Sequence, residues 1–233
     1  MFNIRCDTMR IIGVIGPKNS GKTTLICELL KKLPFKAAVI KHTCKDIDVD
    51  AEGTDSYKLK QFSNTTVFST NKGTAFYKDK LSLEEILSKI DEDFVIVEGF
   101  KEELSKLNIP KIVMIKGNEG LELIDEHTIT VIKDYDYDVE DVLKLVLEKA
   151  TVPSFNLNCK HCGYDCKSFV SAVVKGEAKW NDCVLSSGIK IVVNGKIIPA
   201  NPFVSKIIKN TIKAMIETLK GVDKPKNIEI KID

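Results

Sequence analysis

The chain has 233 residues, 43% of them hydrophobic and 29% charged, a size and composition that accommodate one α/β core and a small appended domain. Its 35 lysines and arginines nearly balance 33 aspartates and glutamates, which excludes a global field able to drive the protein onto nucleic acid or an anionic membrane. The longest apolar runs, such as Ile112 to Ile115 and Leu143 to Leu147, are too short to cross a bilayer and no signal-peptide pattern opens the chain, so a cytoplasmic location without membrane contact is expected.

Residues 1–8 carry no pattern and read either as a flexible tail or as the result of a start codon upstream of Met9. Arg10 to Ile15 is an apolar run that stops at Gly16, and the stretch from Lys22 to Leu33 then has helical spacing through Leu25, Leu29 and Leu30. A second run, Ala37 to Ile40, leads into a long polar loop from Lys41 to Gly53 that holds Asp46, Asp48 and Asp50. Thr66 to Ser69 and Thr74 to Tyr77 flank the turn Asn71-Lys72-Gly73 and predict a hairpin. Ser82 followed by Glu85 is a capping box ahead of Ile86, Leu87 and Ile90. Buried strands are predicted at Phe94 to Val97, Ile112 to Ile115 and Thr128 to Ile132, followed by a helix capped by Asp138. This alternation predicts an α/β domain with a mostly parallel sheet flanked by helices over residues 1–150.

Around Pro153 the helical pattern ends, and residues 151–233 read as a small α+β cysteine-rich domain. Its expected elements are strands at Ile189 to Val193 and Lys196 to Ile198 around Asn194-Gly195, a helix capped by Asn201 and closed by Gly221, and a final strand through Ile228, Ile230 and Ile232. The helix carries an apolar stripe, Val204, Ile208, Ile212, Met215 and Leu219, which is expected to cover its own domain.

Gly16-Pro17-Lys18-Asn19-Ser20-Gly21-Lys22-Thr23, followed by Thr24, fits the phosphate-loop pattern between a predicted strand and a predicted helix. Glycines let backbone N–H groups turn inward around phosphates, and the helix N-terminus adds partial positive charge. Lys22 reaches the outer phosphates and Thr23 offers an oxygen to Mg²⁺. A carboxylate at the end of a neighbouring strand is needed to hold the ion's shell or orient water, and Glu98 is the candidate; Asp50 and Asp55 are alternatives. Arginine is confined to Arg5 and Arg10, so hydrolysis is expected to be slow. The guanine-reading tetrapeptide N-K-x-D is absent, leaving GTP and ATP undecided.

The phosphate loop followed by Lys41-His42, Gly53-Thr54-Asp55-Ser56 and Glu98-Gly99-Phe100-Lys101 resembles the molybdopterin-guanine dinucleotide biosynthesis protein B family over residues 9–150. The resemblance implies a GTP-binding accessory protein, typically a homodimer. Its partner would be the nucleotidyltransferase that attaches GMP to molybdopterin, together with the pterin itself. It also implies that Lys22 and Thr23 hold the phosphates and magnesium, while Lys41, His42, Asp55, Ser56 and Glu98 line the same face. At most such a protein is a slow GTPase.

Cys159-x-x-Cys162-x-x-x-Cys166, with Cys183 farther on, supplies four thiolates, enough for a tetrahedral zinc site or a [4Fe–4S] cluster. A compact triplet plus a distant fourth cysteine favours the cluster, since structural zinc commonly uses two matched C-x-x-C knuckles. The segment Cys162-Gly163-Tyr164-Asp165-Cys166, with Phe169 and Gly176-Glu177-Ala178 before Cys183, resembles a four-cysteine iron-sulfur module of electron-transfer subunits and corrinoid proteins. The common form has one more residue between its second and third cysteines. A nucleotide-gated cluster carrier or electron-transfer protein and a P-loop kinase of small molecules are the other readings open from sequence.

Overall fold

A computed structural model describes residues 9–45, 50–187, 189, 191–193, 196–198, 200–223 and 228. The expected tail with Arg5, the loop residues Asp46 and Asp48, the Asn194-Gly195 turn and the end of the last predicted strand at Ile230 and Ile232 lie outside the described residues.

In chain order the elements are β1 (Arg10–Ile15), α1 (Lys22–Lys32), β2 (Ala38–Lys41), α2 (Asp55–Lys60), β3 (Thr66–Thr70), β4 (Gly73–Tyr77), α3 (Leu83–Ser88) and β5 (Phe94–Glu98). They continue with α4 (Lys101–Lys106), β6 (Lys111–Ile115), β7 (Thr128–Lys133), α5 (Val139–Lys149), α6 (Cys166–Lys175), β8 (Val192–Val193), β9 (Lys196–Ile197) and α7 (Pro202–Glu217).

Five strands form one sheet in the order β2-β5-β1-β6-β7, every pair parallel. A parallel sheet is covered on both faces, so its strands are apolar throughout, and all six residues of β1 are buried. The two-residue period divides them. Ile12 and Val14 face α1 and α5 through Leu25, Leu29, Val142 and Val146, whereas Ile11 and Ile15 face α3 and α4 through Leu83, Leu87 and Leu104. Gly13 lies beneath Leu104, and a Cβ there would come within 2.5 Å of Leu104 Cδ1. The result is the α/β sheet with flanking helices expected of a P-loop NTPase domain, and its mouth lies at the C-terminal ends of the strands, where β5 and β6 diverge from β1.

The predicted hairpin forms as β3–β4, with Phe68 and Phe76 exposed, and the Ser82–Glu85 capping box closes as expected. Helices α2, α4 and α6 were not foreseen; α2 and α4 have six residues each, too short for an amphipathic stripe to register. The C-terminal elements depart from expectation in three ways. β8 begins only at Val192. α7 stops at Glu217, its last carbonyls being met by the Thr218 turn, so Gly221 follows the helix at one turn's distance with φ +90°. The stripe of α7 is only partly covered: none of its residues is buried, Ile208 and Ile212 are half-buried, and Met215 is 65% exposed.

Residues 151–183 fold against the N-terminal ends of the strands, opposite the mouth. β1 gains β6 only from Gly13 onward, leaving its first residues open on that side, and Thr151 fills the gap by an antiparallel bridge to Ile11. Asn156 donates to the Lys106 carbonyl at 3.0 Å, and the buried His127 places Nε2 3.2 Å from the Lys167 carbonyl of α6. The Arg10 guanidinium lies over the Trp180 ring and donates to the Leu147 carbonyl at 2.8 Å. A third apolar cluster, Val152, Phe169, Val170, Val173 and Cys183, forms the core of this unit.

Candidate functional site

At the mouth, residues 16–21 turn between β1 and α1, with Gly21 left-handed at φ 84° as the helix cap. Ser20 is buried and its hydroxyl donates to the Pro17 carbonyl at 2.9 Å, tying the loop to itself. Lys18, Asn19, Thr23 and Thr24 are exposed along its rim. The Lys22 ammonium curls back onto the loop, 3.1 Å from the Gly16 carbonyl and 2.5 Å from that of Pro17. Burial lowers its pKa; the Glu98 carboxylate opposes this, and Lys101 and Lys41 reinforce it.

The sheet register assembles the rest. Val14, Glu98 and Lys41 lie side by side on β1, β5 and β2. Consequently Thr23 Oγ1 donates to Glu98 Oε2 at 3.1 Å, while Lys41 Nζ lies 3.3 Å from each of those oxygens. A threonine hydroxyl and a buried carboxylate thus already face one cation, the lysine ammonium. That is the donor set a divalent ion with phosphate ligands requires, and Thr23 and Glu98 would hold it. Lys101, at the start of α4, is the further cation that shares this field with Lys22.

The other expected nucleotide residues divide. His42 lies at the same strand edge, but its ring stacks on Phe100 with centroids 4.2 Å apart, and its backbone N–H bonds the Glu98 carbonyl at 2.8 Å. Asp55 and Ser56 are placed in the first turn of α2 and pair within that segment, Asp55 with Lys58 at 3.7 Å and Ser56 with Thr54 at 3.2 Å. Asp50 accepts from the Ala51 N–H at 2.9 Å in the preceding turn.

The second site is a pocket whose wall includes Cys159, Cys162, Cys166 and Cys183, closed by Tyr164, Phe169 and Leu185. Among the described residues no three His, Cys, Asp or Glu side chains converge as one ion's ligands would; the sulfurs are spread around the pocket instead. Asn158 acts on it twice: its N–H points to Cys166 Sγ at 3.3 Å, and its side-chain oxygen accepts from the Cys166 N–H at 2.9 Å. Phe155, Asn156, Asn158 and Lys160 all have left-handed φ between 46° and 56°, an uncommon concentration for residues other than glycine. Burial pushes the Cys183 thiol up to about 11, and the neighbouring Cys162, Cys166 and Cys159 add to that against the Leu185 backbone. A thiolate at Cys183 therefore needs positive charge beside it, which an iron-sulfur group would supply.

Sequence reasoning missed Asn158, although it directly precedes the first cysteine of the cluster, and Tyr135, whose signal is an aromatic two residues past a strand end.

Residues 11–134 match the family model described as "Molybdopterin guanine dinucleotide synthesis protein B", and residues 156–185 match one described as "Putative Fe-S cluster". The chain is 61% identical over 229 residues to a Methanocaldococcus jannaschii protein named "Putative molybdopterin-guanine dinucleotide biosynthesis adapter protein", covering 97% of this chain and 98% of that one. It is 30% identical to the molybdopterin-guanine dinucleotide biosynthesis adapter protein of Haemophilus influenzae, over 65% of this chain and 89% of the relative. The crystal structure of Bacillus subtilis MobB aligns with a TM-score of 0.43 at 23% identity, covering 60% of this chain and 96% of that one. By the family match and the identity shared along almost its whole length, this chain belongs to the molybdopterin guanine dinucleotide synthesis protein B family.

Proposed function

We propose that this chain is a GTP-binding adapter in molybdopterin-guanine dinucleotide biosynthesis, acting as a cytoplasmic homodimer beside the nucleotidyltransferase that joins GMP to molybdopterin. The observation that carries the nucleotide half is the convergence of Thr23 Oγ1, Glu98 Oε2 and Lys41 Nζ at the phosphate loop. Backbone N–H groups of the loop and the N-terminus of α1 bind the phosphates. The Lys22 ammonium, held by neutral carbonyls, transfers to phosphate oxygens, because an anionic acceptor makes the stronger charge-assisted bond. Mg²⁺ at Thr23 and Glu98 would neutralise charge on the outer phosphates.

Hydrolysis by the chain alone is slow in this reading. Lys22, Lys41 and Lys101 at the mouth are point charges that lack the planar fork of an arginine, whereas Arg10 lies at the opposite end of β1. Retaining the triphosphate suits an adapter, whose task is to present or sense a nucleotide.

The cysteine half is proposed to hold a [4Fe–4S] cluster on Cys159, Cys162, Cys166 and Cys183, a group that supplies one-electron chemistry or a rigid brace. The test is anaerobic purification with iron, sulfide and zinc analysis, then calorimetric titration of the same sample with GTP and with ATP, with and without Mg²⁺. About four irons and four sulfides per chain and preferential GTP binding are expected. One zinc, no sulfide and a preference for ATP would overturn the assignment.

A further inference from the structure

Thr23, Glu98 and Lys41 fix the metal-bound end of a nucleoside triphosphate on the β5 and β2 side of β1. The sugar and base must then leave across the other side, over the loops that follow β6 and β7. Both loops press on the phosphate loop. A Cβ on Gly120 would lie 3.0 Å from Pro17 Cδ, and one on Gly21 would lie 2.4 Å from Cε1 of Tyr135, whose hydroxyl donates to the Asn19 carbonyl.

Tyr135 is unusual for a packing residue. It is 53% exposed, so one edge of the ring rests on Gly21 while much of the rest is open to solvent at the mouth. It also stands in a strained turn: Asp134 and Tyr135 are consecutive left-handed residues at φ 49° and 67°, and neither is glycine. The turn is held by Asp134 N–H on the Ile115 carbonyl at 3.1 Å, and by the Gly117 N–H on Asp134 Oδ1 at 2.8 Å. These bonds lock an exposed aromatic ring and an exposed carboxylate together at the exit from the phosphate loop.

We propose that Tyr135 and Asp134 form the nucleobase subsite, the tyrosine ring as stacking face and the aspartate as the group that reads the base edge. The proposal rests on the nucleotide reading above. Guanine presents adjacent N–H donors on its pairing edge, which a carboxylate accepts, while adenine presents a ring-nitrogen acceptor that the carboxylate repels. Asp134 therefore selects guanine without the N-K-x-D tetrapeptide.

The test is calorimetric titration of the full chain with GTP, ATP and inorganic tripolyphosphate, each with Mg²⁺, in the native protein and in Tyr135→Ala, Tyr135→Phe and Asp134→Asn. Tyr135→Ala is expected to weaken GTP roughly tenfold or more, the scale of one base stacked on one aromatic ring, and to leave tripolyphosphate unchanged. Tyr135→Phe keeps both affinities, and Asp134→Asn narrows the preference for GTP over ATP. Equal losses for GTP and tripolyphosphate in Tyr135→Ala would make Tyr135 a brace of the loop and overturn the proposal. Equal affinity of the native protein for GTP and tripolyphosphate would remove the base subsite alone, whereas binding of neither would remove the nucleotide reading itself.

Discussion

The Arg10 guanidinium carbon lies 4.5 Å from the centre of the Trp180 ring, and the same group lies 5.4 Å from the centre of Phe94. One cation at the start of β1 thus touches the core of the sheet on one side and the approach to Cys183 on the other. A partly desolvated cation–π contact is worth about 1–2 kcal/mol. Trp180→Ala is therefore expected to loosen residues 156–185 selectively, seen as faster amide exchange there with little change in β1. Uniform exchange across both regions would mean that the contact couples nothing.

At the mouth, Lys22→Ala is expected to lower GTP affinity at least tenfold, since a charged hydrogen-bond partner contributes about 1.5–3 kcal/mol. Thr23→Ala and Glu98→Gln should weaken binding with Mg²⁺ and have little effect without it. Because Thr23 and Glu98 are in contact, their losses should not add in the double variant. Additive losses in titrations with Mg²⁺ would separate the two residues.

Each cysteine of the pocket should matter to iron retention, but not equally to folding. Cys159 is exposed and Cys183 is buried among Val152, Phe169 and Val170. Cys159→Ser should lower iron and sulfide content while leaving the thermal midpoint of the metal-free chain unchanged. Cys183→Ser buries a hydroxyl in an apolar cluster and should lower that midpoint as well. Full iron content in either variant would exclude that residue as a ligand.

His127 gives the join between the sheet and α6 a pH dependence. Burial, the largest influence, lowers its pKa; the Lys167 carbonyl, Asp125 and Glu126 work against that, and Lys111 adds to it. The unfolded chain, with an imidazole near 6.5, then binds more protons than the folded one, so stability is full above that pH and falls as pH drops toward the folded value. Glu126, held down to about 2 chiefly by the Lys167 side chain, stays ionised throughout. The urea midpoint is expected to fall between pH 7.5 and 5.5, and His127→Gln, which keeps a donor for the Lys167 carbonyl, should flatten that slope. Identical slopes would exclude His127 as the titrating group.

What was legible in the sequence is what depends on neighbours along the chain. The phosphate loop is one contiguous run between a strand and a helix, and the caps at Ser82, Asp138 and Asn201 are each set by residues within one turn. Glu98 could be proposed because a buried strand ends in an acid. That Lys41 would stand beside it could not be derived from spacing, because the adjacency comes from the β2–β5 register across more than fifty residues of intervening chain. The placement of the cysteine pocket was equally hidden. It depends on Thr151 completing an open stretch of β1 and on Arg10 meeting Trp180, neither of which leaves a local pattern.

One strand carries both sites. Arg10 begins β1 under the cysteine unit and Ile15 ends it at the phosphate loop, so the two centres are separated by a stiff rod about 16 Å long. The phosphate loop and the cysteine pocket therefore open toward opposite poles of the sheet. A change at the cysteine pole can reach the far end of the sheet along β1, and also through the Lys106 and His127 contacts that join residues 151–183 to the rest of the fold.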